Sequence, residues 1–243
     1  MLTISDRLKT IADYVKKGSI VADIGSDHAY LPTYLVQTGI AKRAVAGEVN
    51  VGPWESAQNQ VRAAGLSDKI DVRLGNGLAV LHEHDQVDTV CIAGMGGTLI
   101  SSILETGKHS LRNVGHLILQ PNVAEKNVRE WLYQNGWELK DETILKEDGI
   151  IYEILSAERG QPSLPYQQGL WTIEQWFEIG PFLWKQASEV LREKWLNEKQ
   201  KAAQVLHNLD NAKSEEAQVK REEVNKRIKW IEEVLRCMPM GKR

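Results

Sequence analysis

Short apolar runs alternate with amphipathic stretches along the first two thirds of the chain. Residues 20–24, 44–48, 70–74, 87–93 and 116–119 are mostly apolar and partly β-branched, as strands buried on both faces of a sheet are. The segments between them are long enough for helices and carry helix-start residues. Ser5 or Thr3 can cap a first helix running to about Val15, a second begins near Ala29, and Pro53 opens a third, where its missing N–H would be unpaired anyway. A further helix spans 123–135. Such alternation predicts a mostly parallel sheet covered by helices on both faces. Gly136 then leads into two strand-like runs, 137–146 and 150–157, separated by Glu147-Asp148-Gly149. Asp-Gly between two such runs is a hairpin signal, so the last strand should enter the sheet antiparallel.

A parallel sheet finished by a hairpin is the layout of methyltransferases that use S-adenosylmethionine, and it is absent from dehydrogenase-type Rossmann sheets. Gly160, Pro162, Ser163 and Pro165 break the pattern and read as a linker. Beyond it, Leu183, Ala187, Val190 and Leu191, and later Ala217, Val224, Ile228, Ile231, Leu235 and Met238, recur at spacings of three and four with charges between them. A chain reversal around 208–211 would make this an antiparallel coiled-coil hairpin. The expected fold is therefore α/β, a Rossmann-like methyltransferase domain over 1–160 followed by a helical coiled-coil domain over 161–243.

Composition narrows the partners. The net charge of −3 does not suggest nucleic acid, and the first 160 residues hold 16 Lys and Arg against 21 Asp and Glu, the remainder 14 against 12. A polyanion site would have to be a local patch. Cys91 and Cys237 have no metal-ligand spacing, and Cys91 lies in an apolar strand as a small buried hydrophobe. Asp6, Arg7 and Lys9 precede any apolar run, and the longest uncharged stretch, 89–104, is too short and glycine-rich to span a membrane. No secretory signal, membrane partner or metal is expected.

The strand ends carry the candidate chemistry. The first apolar run closes in Asp23-Ile24-Gly25-Ser26, where Gly25 lets the chain swing from strand to helix and a ligand can meet the amides of the next helix. Glu48 ends the second strand and can accept hydrogen bonds from both hydroxyls of a ribose. Gly75-Asn76-Gly77 follows the third, with Asn76 able to read the polar edge of an adenine. Ala93-Gly94-Met95-Gly96-Gly97 follows the fourth and leaves an open floor with a polarizable thioether beside it. Each signal alone has a structural explanation; four successive strand ends together point to a nucleoside-cofactor site.

The run 21–32 (Val-Ala-Asp-Ile-Gly-Ser-Asp-His-Ala-Tyr-Leu-Pro), with Ile92-Ala93-Gly94-Met95-Gly96-Gly97, Leu119-Gln120-Pro121-Asn122 and Gly149-Ile150-Ile151-Tyr152-Glu153, resembles the bacterial tRNA (adenine-N1)-methyltransferase family that modifies adenosine 22. The resemblance spans essentially the whole chain. It implies S-adenosyl-L-methionine as cofactor, held by Asp23, Gly25, Ser26, His28, Glu48, Val49, Asn76, Gly77, Ala93, Gly94 and Met95. It also implies that Asp27, His28, Tyr30 and Asn122, in a Gln120-Pro121-Asn122 turn, face the methyl group and the target base. The implied partner is tRNA, not DNA, and the implied state a cytoplasmic monomer. Tyr30 could stack on a flipped base, and Asp27, Asn122 or Gln120 could stabilise charge near N6. The basic residues from Arg192 to Lys229 either grip tRNA or solvate a coiled coil, and Trp171, Trp176, Trp184 and Trp195 either stack on bases or pack. Two other readings fit the residues: a methyltransferase for a small molecule or protein with the coiled coil as a dimerisation arm, and a non-enzymatic nucleotide-binding scaffold.

Overall fold

The computed structural model describes residues 2–209 and 214–239, in two compact units divided between Gly180 and Pro181. In the first unit, β1 (Ser19–Ile24), β2 (Ala41–Glu48), β3 (Ile70–Leu74), β4 (Thr89–Gly96), β5 (His116–Val123), β6 (Trp137–Glu147) and β7 (Ile150–Arg159) form one sheet in the order β3-β2-β1-β4-β5-β7-β6. The pairs among β1 to β5 are parallel, and β7 runs antiparallel to both β5 and β6. The hairpin thus inserts its second strand against β5, as the Asp148-Gly149 turn foretells. Chain order reverses between β1 and β4, so the crevice for a ligand opens beyond their carboxyl ends.

Helices α1 (Asp6–Tyr14), α2 (Tyr30–Gln37) and α3 (Val51–Ala63) bury Ile11, Leu31, Leu35, Ala57 and Val61 with Val21, Cys91, Ile118 and Ile154 of the sheet. Helices α4 (Gly97–Thr106) and α5 (Glu125–Gln134) bury Ile100, Leu104, Val128 and Leu132. The crossover through α2 steps toward β2 and that through α4 steps away toward β5, so right-handed connections place them on opposite faces.

Four local readings change. Pro53 is the third residue of α3, not its first; the helix starts at Val51, and Pro53 still lies among the first four residues, whose N–H groups have no partner within the helix. Residues 120–122 are not a turn but the continuation of β5. Pro121 is tolerated there because β5 pairs with β7 only as far as Leu119, and an edge position needs no donor. Ala93 to Gly96, expected to follow the fourth strand, are its last residues, and α4 opens directly at Gly97, which the sequence pattern did not resolve. The segment 160–165 lies inside the first unit. Tyr166, in a short turn of 3-10 helix, and Phe177 of α6 (Ile173–Ile179) meet Tyr133 of α5 edge-on, with ring centroids 5.8 and 5.5 Å away.

Arg129 of α5 is fully buried between two carboxylates. Its Nε donates to Glu142 of β6 at 2.6 Å, its Nη2 to Glu153 of β7 at 2.6 Å, and its Nη1 to the Phe177 carbonyl at 3.0 Å. One guanidinium therefore joins α5, both hairpin strands and α6. The geometry suits its rigid fork, whereas either carboxylate alone would be a stranded buried charge.

In the second unit, α7 (Pro181–Gln186), α8 (Glu189–Leu209) and α9 (Glu215–Cys237) follow. Arg221 donates to the Leu209 carbonyl while Trp195 packs edge-on with Trp230 at 5.2 Å, so α8 and α9 run antiparallel. Ala217, Val224, Ile231 and Met238 are buried at a seven-residue interval. The expected turn residues Asp210 and Asn211 lie outside the described residues. Trp176, Trp184 and Trp195 are buried, which removes them as base-stacking candidates. No helix among the described residues is long and apolar enough to cross a membrane.

Replacing Arg129 by Met leaves Glu142 and Glu153 without their cation and is expected to lower unfolding stability by ~3–5 kcal/mol. Urea unfolding followed by tryptophan fluorescence measures it; a change below about 1 kcal/mol would show that water or another cation satisfies the pair.

Candidate active site

The carboxyl ends of β1, β2, β4 and β5 border a cavity of about 480 Å³ lined by Asp23, Gly25, Ser26, Asp27, Tyr30, Glu48, Val49, Ala93, Gly94, Met95 and Asn122. Its geometry starts from an uncommon backbone. Gly25 has φ +73°, and Asp27, His28 and Ala29 follow with φ of 35°, 41° and 52°, three successive left-handed residues that are not glycine. Such a turn is strained and persists only if its surroundings over-determine it. Two carboxylates do so. The Ser26 hydroxyl donates to Asp23 at 2.6 Å, and the Asp27 backbone N–H donates to the Glu48 carboxylate. Any other residue at Gly25 would be strained by this positive φ, whereas the Met95 methyl group that a Cβ would meet is the free end of a flexible side chain and can move aside.

Both acids are buried, Asp23 to 4% and Glu48 to 6% exposure. Burial pushes the Asp23 carboxyl up to about 7, the nearby Glu48 charge adds to this, and the Ser26 hydroxyl and Arg7 work against it. Two neighbouring buried acids, one with a single hydroxyl partner, can accept hydrogen bonds from hydroxyl groups and attract a cation.

Across the floor, side chains form a directional chain. Arg7 Nη1 donates to Gln120 Oε1 at 2.6 Å and Gln120 Nε2 donates to Asn122 Oδ1 at 3.0 Å, while Asn122 Nδ2 donates to the Gly94 carbonyl at 2.8 Å. The Arg7 guanidinium also lies 5.3 Å from the centre of the Tyr152 ring. Glu147, at the hairpin end of β6, accepts from the Asp6 N–H at 2.6 Å and holds the start of α1 beside this chain.

A family model described as tRNA (adenine(22)-N(1))-methyltransferase matches residues 21–233. The chain belongs to this methyltransferase family. The tRNA (adenine(22)-N(1))-methyltransferase of Bacillus subtilis is 43% identical over 235 residues, covering 96% of this chain and 98% of the relative. The crystal structure of the B. subtilis m1A22 tRNA methyltransferase superposes with a TM-score of 0.89 at 41% identity, covering 97% of this chain and all of that one. A Streptococcus pneumoniae protein solved in complex with S-adenosyl-L-methionine gives 0.84 at 45% identity over 96% of this chain and all of its own.

Within this methyltransferase frame the sequence-derived residues fall into two groups. Those lining the cavity are named above. His28, Asn76 and Gly77 are not in its lining. His28 is exposed and stacks on Tyr30, with ring centroids 5.3 Å apart, and its Nε2 lies 3.5 Å from Asp27. Asn76 is exposed one strand further out, beyond Gly75, whose N–H donates to the Glu48 carbonyl at 2.7 Å. Arg7, Leu8, Asn50, Pro53 and Tyr152 line the cavity and were not singled out as site residues by sequence reasoning. Arg7 precedes the first strand and carried no motif; only the hydrogen bonds between α1 and the hairpin bring it in.

The raised Asp23 carboxyl binds its proton more tightly folded than unfolded. The resulting stabilisation is full below pH ~4 and is lost as pH rises through about 7. Asp23→Asn, which keeps an acceptor for Ser26 and cannot ionise, is therefore expected to gain stability over the parent by up to ~4 kcal/mol above pH 8, with the gap closing below pH 5. Paired urea titrations at pH 5, 7 and 8.5 measure this; a gap independent of pH would place the Asp23 proton elsewhere.

Proposed function

We propose that this protein transfers a methyl group from S-adenosyl-L-methionine to N1 of adenosine 22 in tRNA. The observation that carries the reading is the near full-length family match joined to a cavity with two buried acids on adjacent parallel strand ends and an exposed amide opposite them. The family match favours tRNA over the small-molecule or protein substrate that the sequence also allowed. A tRNA substrate supports the reading that the enzyme acts in the cytoplasm, where it is expected to be a monomer.

The residues present fit the cofactor. Glu48 keeps carboxylate capacity beyond the Asp27 amide and would take the ribose hydroxyls, and Asp23 with Ser26 would face the cationic amino-acid end. Exposed Val49 and the Asn76-Gly77 turn would border the adenine, while Ala93, Gly94 and Met95 would form the floor and His28 would close the near rim. When bound, the cofactor supplies an already activated methyl group on a sulfonium. What remains for the protein is placement. Adenine N1 carries a free lone pair, so no covalent nucleophile is required, and in-line positioning supplies much of the acceleration. N1 lies on the pairing edge, so the base must leave any stack, and the exposed Tyr30 ring, held by His28, offers it a face. Methylation makes the purine cationic; the exposed Asp27 carboxylate and the Asn122 carbonyl oxygen then stabilise positive charge as it develops. His28 acts mainly in positioning.

Incubating the protein with labelled S-adenosylmethionine and unmodified tRNA, then digesting to nucleosides, should yield N1-methyladenosine, and the same tRNA with guanosine at position 22 should yield none. Cofactor binding without any methylated nucleoside would overturn the reading. Glu48→Ala is expected to weaken cofactor binding by about 10–100-fold in calorimetry, since hydrogen bonds to a charged acceptor contribute roughly 1.5–3 kcal/mol. An affinity within twofold of the parent would remove Glu48 from the ribose site.

A further inference from the structure

Building on the methyl-transfer reading, the hydrogen-bond inventory around Gln120 assigns how the target adenine is read. Gln120 is fully buried, and all of its hydrogen-bonding capacity is used. Oε1 accepts from Arg7 Nη1 at 2.6 Å and from the Gly94 N–H at 3.1 Å; Nε2 donates to the Pro121 carbonyl at 3.0 Å and to Asn122 Oδ1 at 3.0 Å. The polarity of this amide is not arbitrary. A guanidinium and a backbone N–H can only donate, so the oxygen must face them; the Pro121 carbonyl can only accept, so the nitrogen must face it. Saturated and buried, Gln120 has no atom left for a substrate.

The same logic fixes Asn122. Its Oδ1 faces the Gln120 donor and its Nδ2 faces the Gly94 carbonyl at 2.8 Å. One lone pair on Oδ1 and one hydrogen on Nδ2 remain, on an exposed side chain that borders the cavity. An acceptor beside a donor in one amide matches the exocyclic N6–H and the N7 of adenine, the pairing by which Asn reads adenine from its Hoogsteen edge. The reaction adds a demand of its own. N1 must offer its lone pair to the methyl group, so the pairing edge cannot be used for recognition by these atoms.

We propose that Asn122 holds the target adenine by its N6 and N7 atoms, leaving N1 free, and that Gln120, anchored by Arg7, is a positioning residue that fixes which Asn122 atom meets which base atom. The arrangement selects adenine over 6-oxo purines, whose O6 would oppose the Asn122 oxygen. Arg7 is held for this task from two sides, by Glu147 at the start of its helix and by the Tyr152 ring beneath its guanidinium.

The test uses full-length protein and tRNA carrying 7-deazaadenosine at position 22, which retains N1 and N6 and lacks only the N7 acceptor. Single-turnover methylation by the parent enzyme is expected to fall at least 10-fold against the adenosine tRNA. In Asn122→Ala the adenosine rate falls about 10–100-fold and the two tRNAs become equivalent. Gln120→Leu should also shrink the 7-deaza penalty, to threefold or less, with cofactor affinity within twofold of the parent. A purely structural role for Gln120 would lower both rates and leave their ratio unchanged. Equal parent rates on the two tRNAs would overturn the Hoogsteen assignment, while methylation of the adenosine tRNA in the same assay keeps the underlying activity separately tested.

Discussion

The site depends on two buried carboxylates holding a turn that the backbone would otherwise avoid. Three consecutive left-handed residues, Asp27 to Ala29, are costly for side chains with a Cβ. Asp23 grips Ser26 at the start of the turn, and Glu48 takes the amide of Asp27. Because Asp23 and Glu48 end adjacent parallel strands, sheet register sets the distance between the clamps. The residues expected to face the cofactor therefore fix the residues expected to face the base. Neither side can be rearranged alone.

Much of this was legible in the chain. All seven strands were anticipated to within a few residues at most ends, because buried strands are short and apolar and the Asp148-Gly149 turn announces its hairpin. The strand-end acids and the Gly25 swing were likewise visible, not because any one of them is specific but because four successive strand ends carry such residues together. Less legible were features whose cause is tertiary. Pro121 reads as a strand breaker until β5 is seen to lose its β7 partner beyond Leu119. Arg129, Glu142 and Glu153 are ordinary charged residues in sequence, and only the meeting of α5, the hairpin and α6 buries them together. Arg7 belongs to the same class.

Two kinds of rigidity serve different ends in the first unit. The Arg129 cluster lies among α5, β6, β7 and the stretch leading to Gly180, where the guanidinium would meet any Cβ placed on that glycine. It fixes the edge of the sheet. The Arg7 chain, by contrast, touches the cavity and fixes the hydrogen-bonding sense of an exposed amide. Both use an arginine because a guanidinium donates in a fixed fork and never accepts. A lysine would supply charge without that direction.

The seating of α1 also bears on when the protein becomes able to act. Asp6 and Arg7 bond to Glu147, and Tyr14 to Thr143, across 141, 140 and 129 residues of chain. At roughly 5–20 residues per second of synthesis, the helix made first waits on the order of ten seconds for the strands that receive it. Until the hairpin leaves the ribosome, Arg7 has neither its glutamate nor its tyrosine. A nascent chain can form the early strands and bring Asp23 beside Glu48, yet the Arg7–Gln120–Asn122 chain is completed last, so the base recognition proposed for Asn122 would mature after the rest of the pocket.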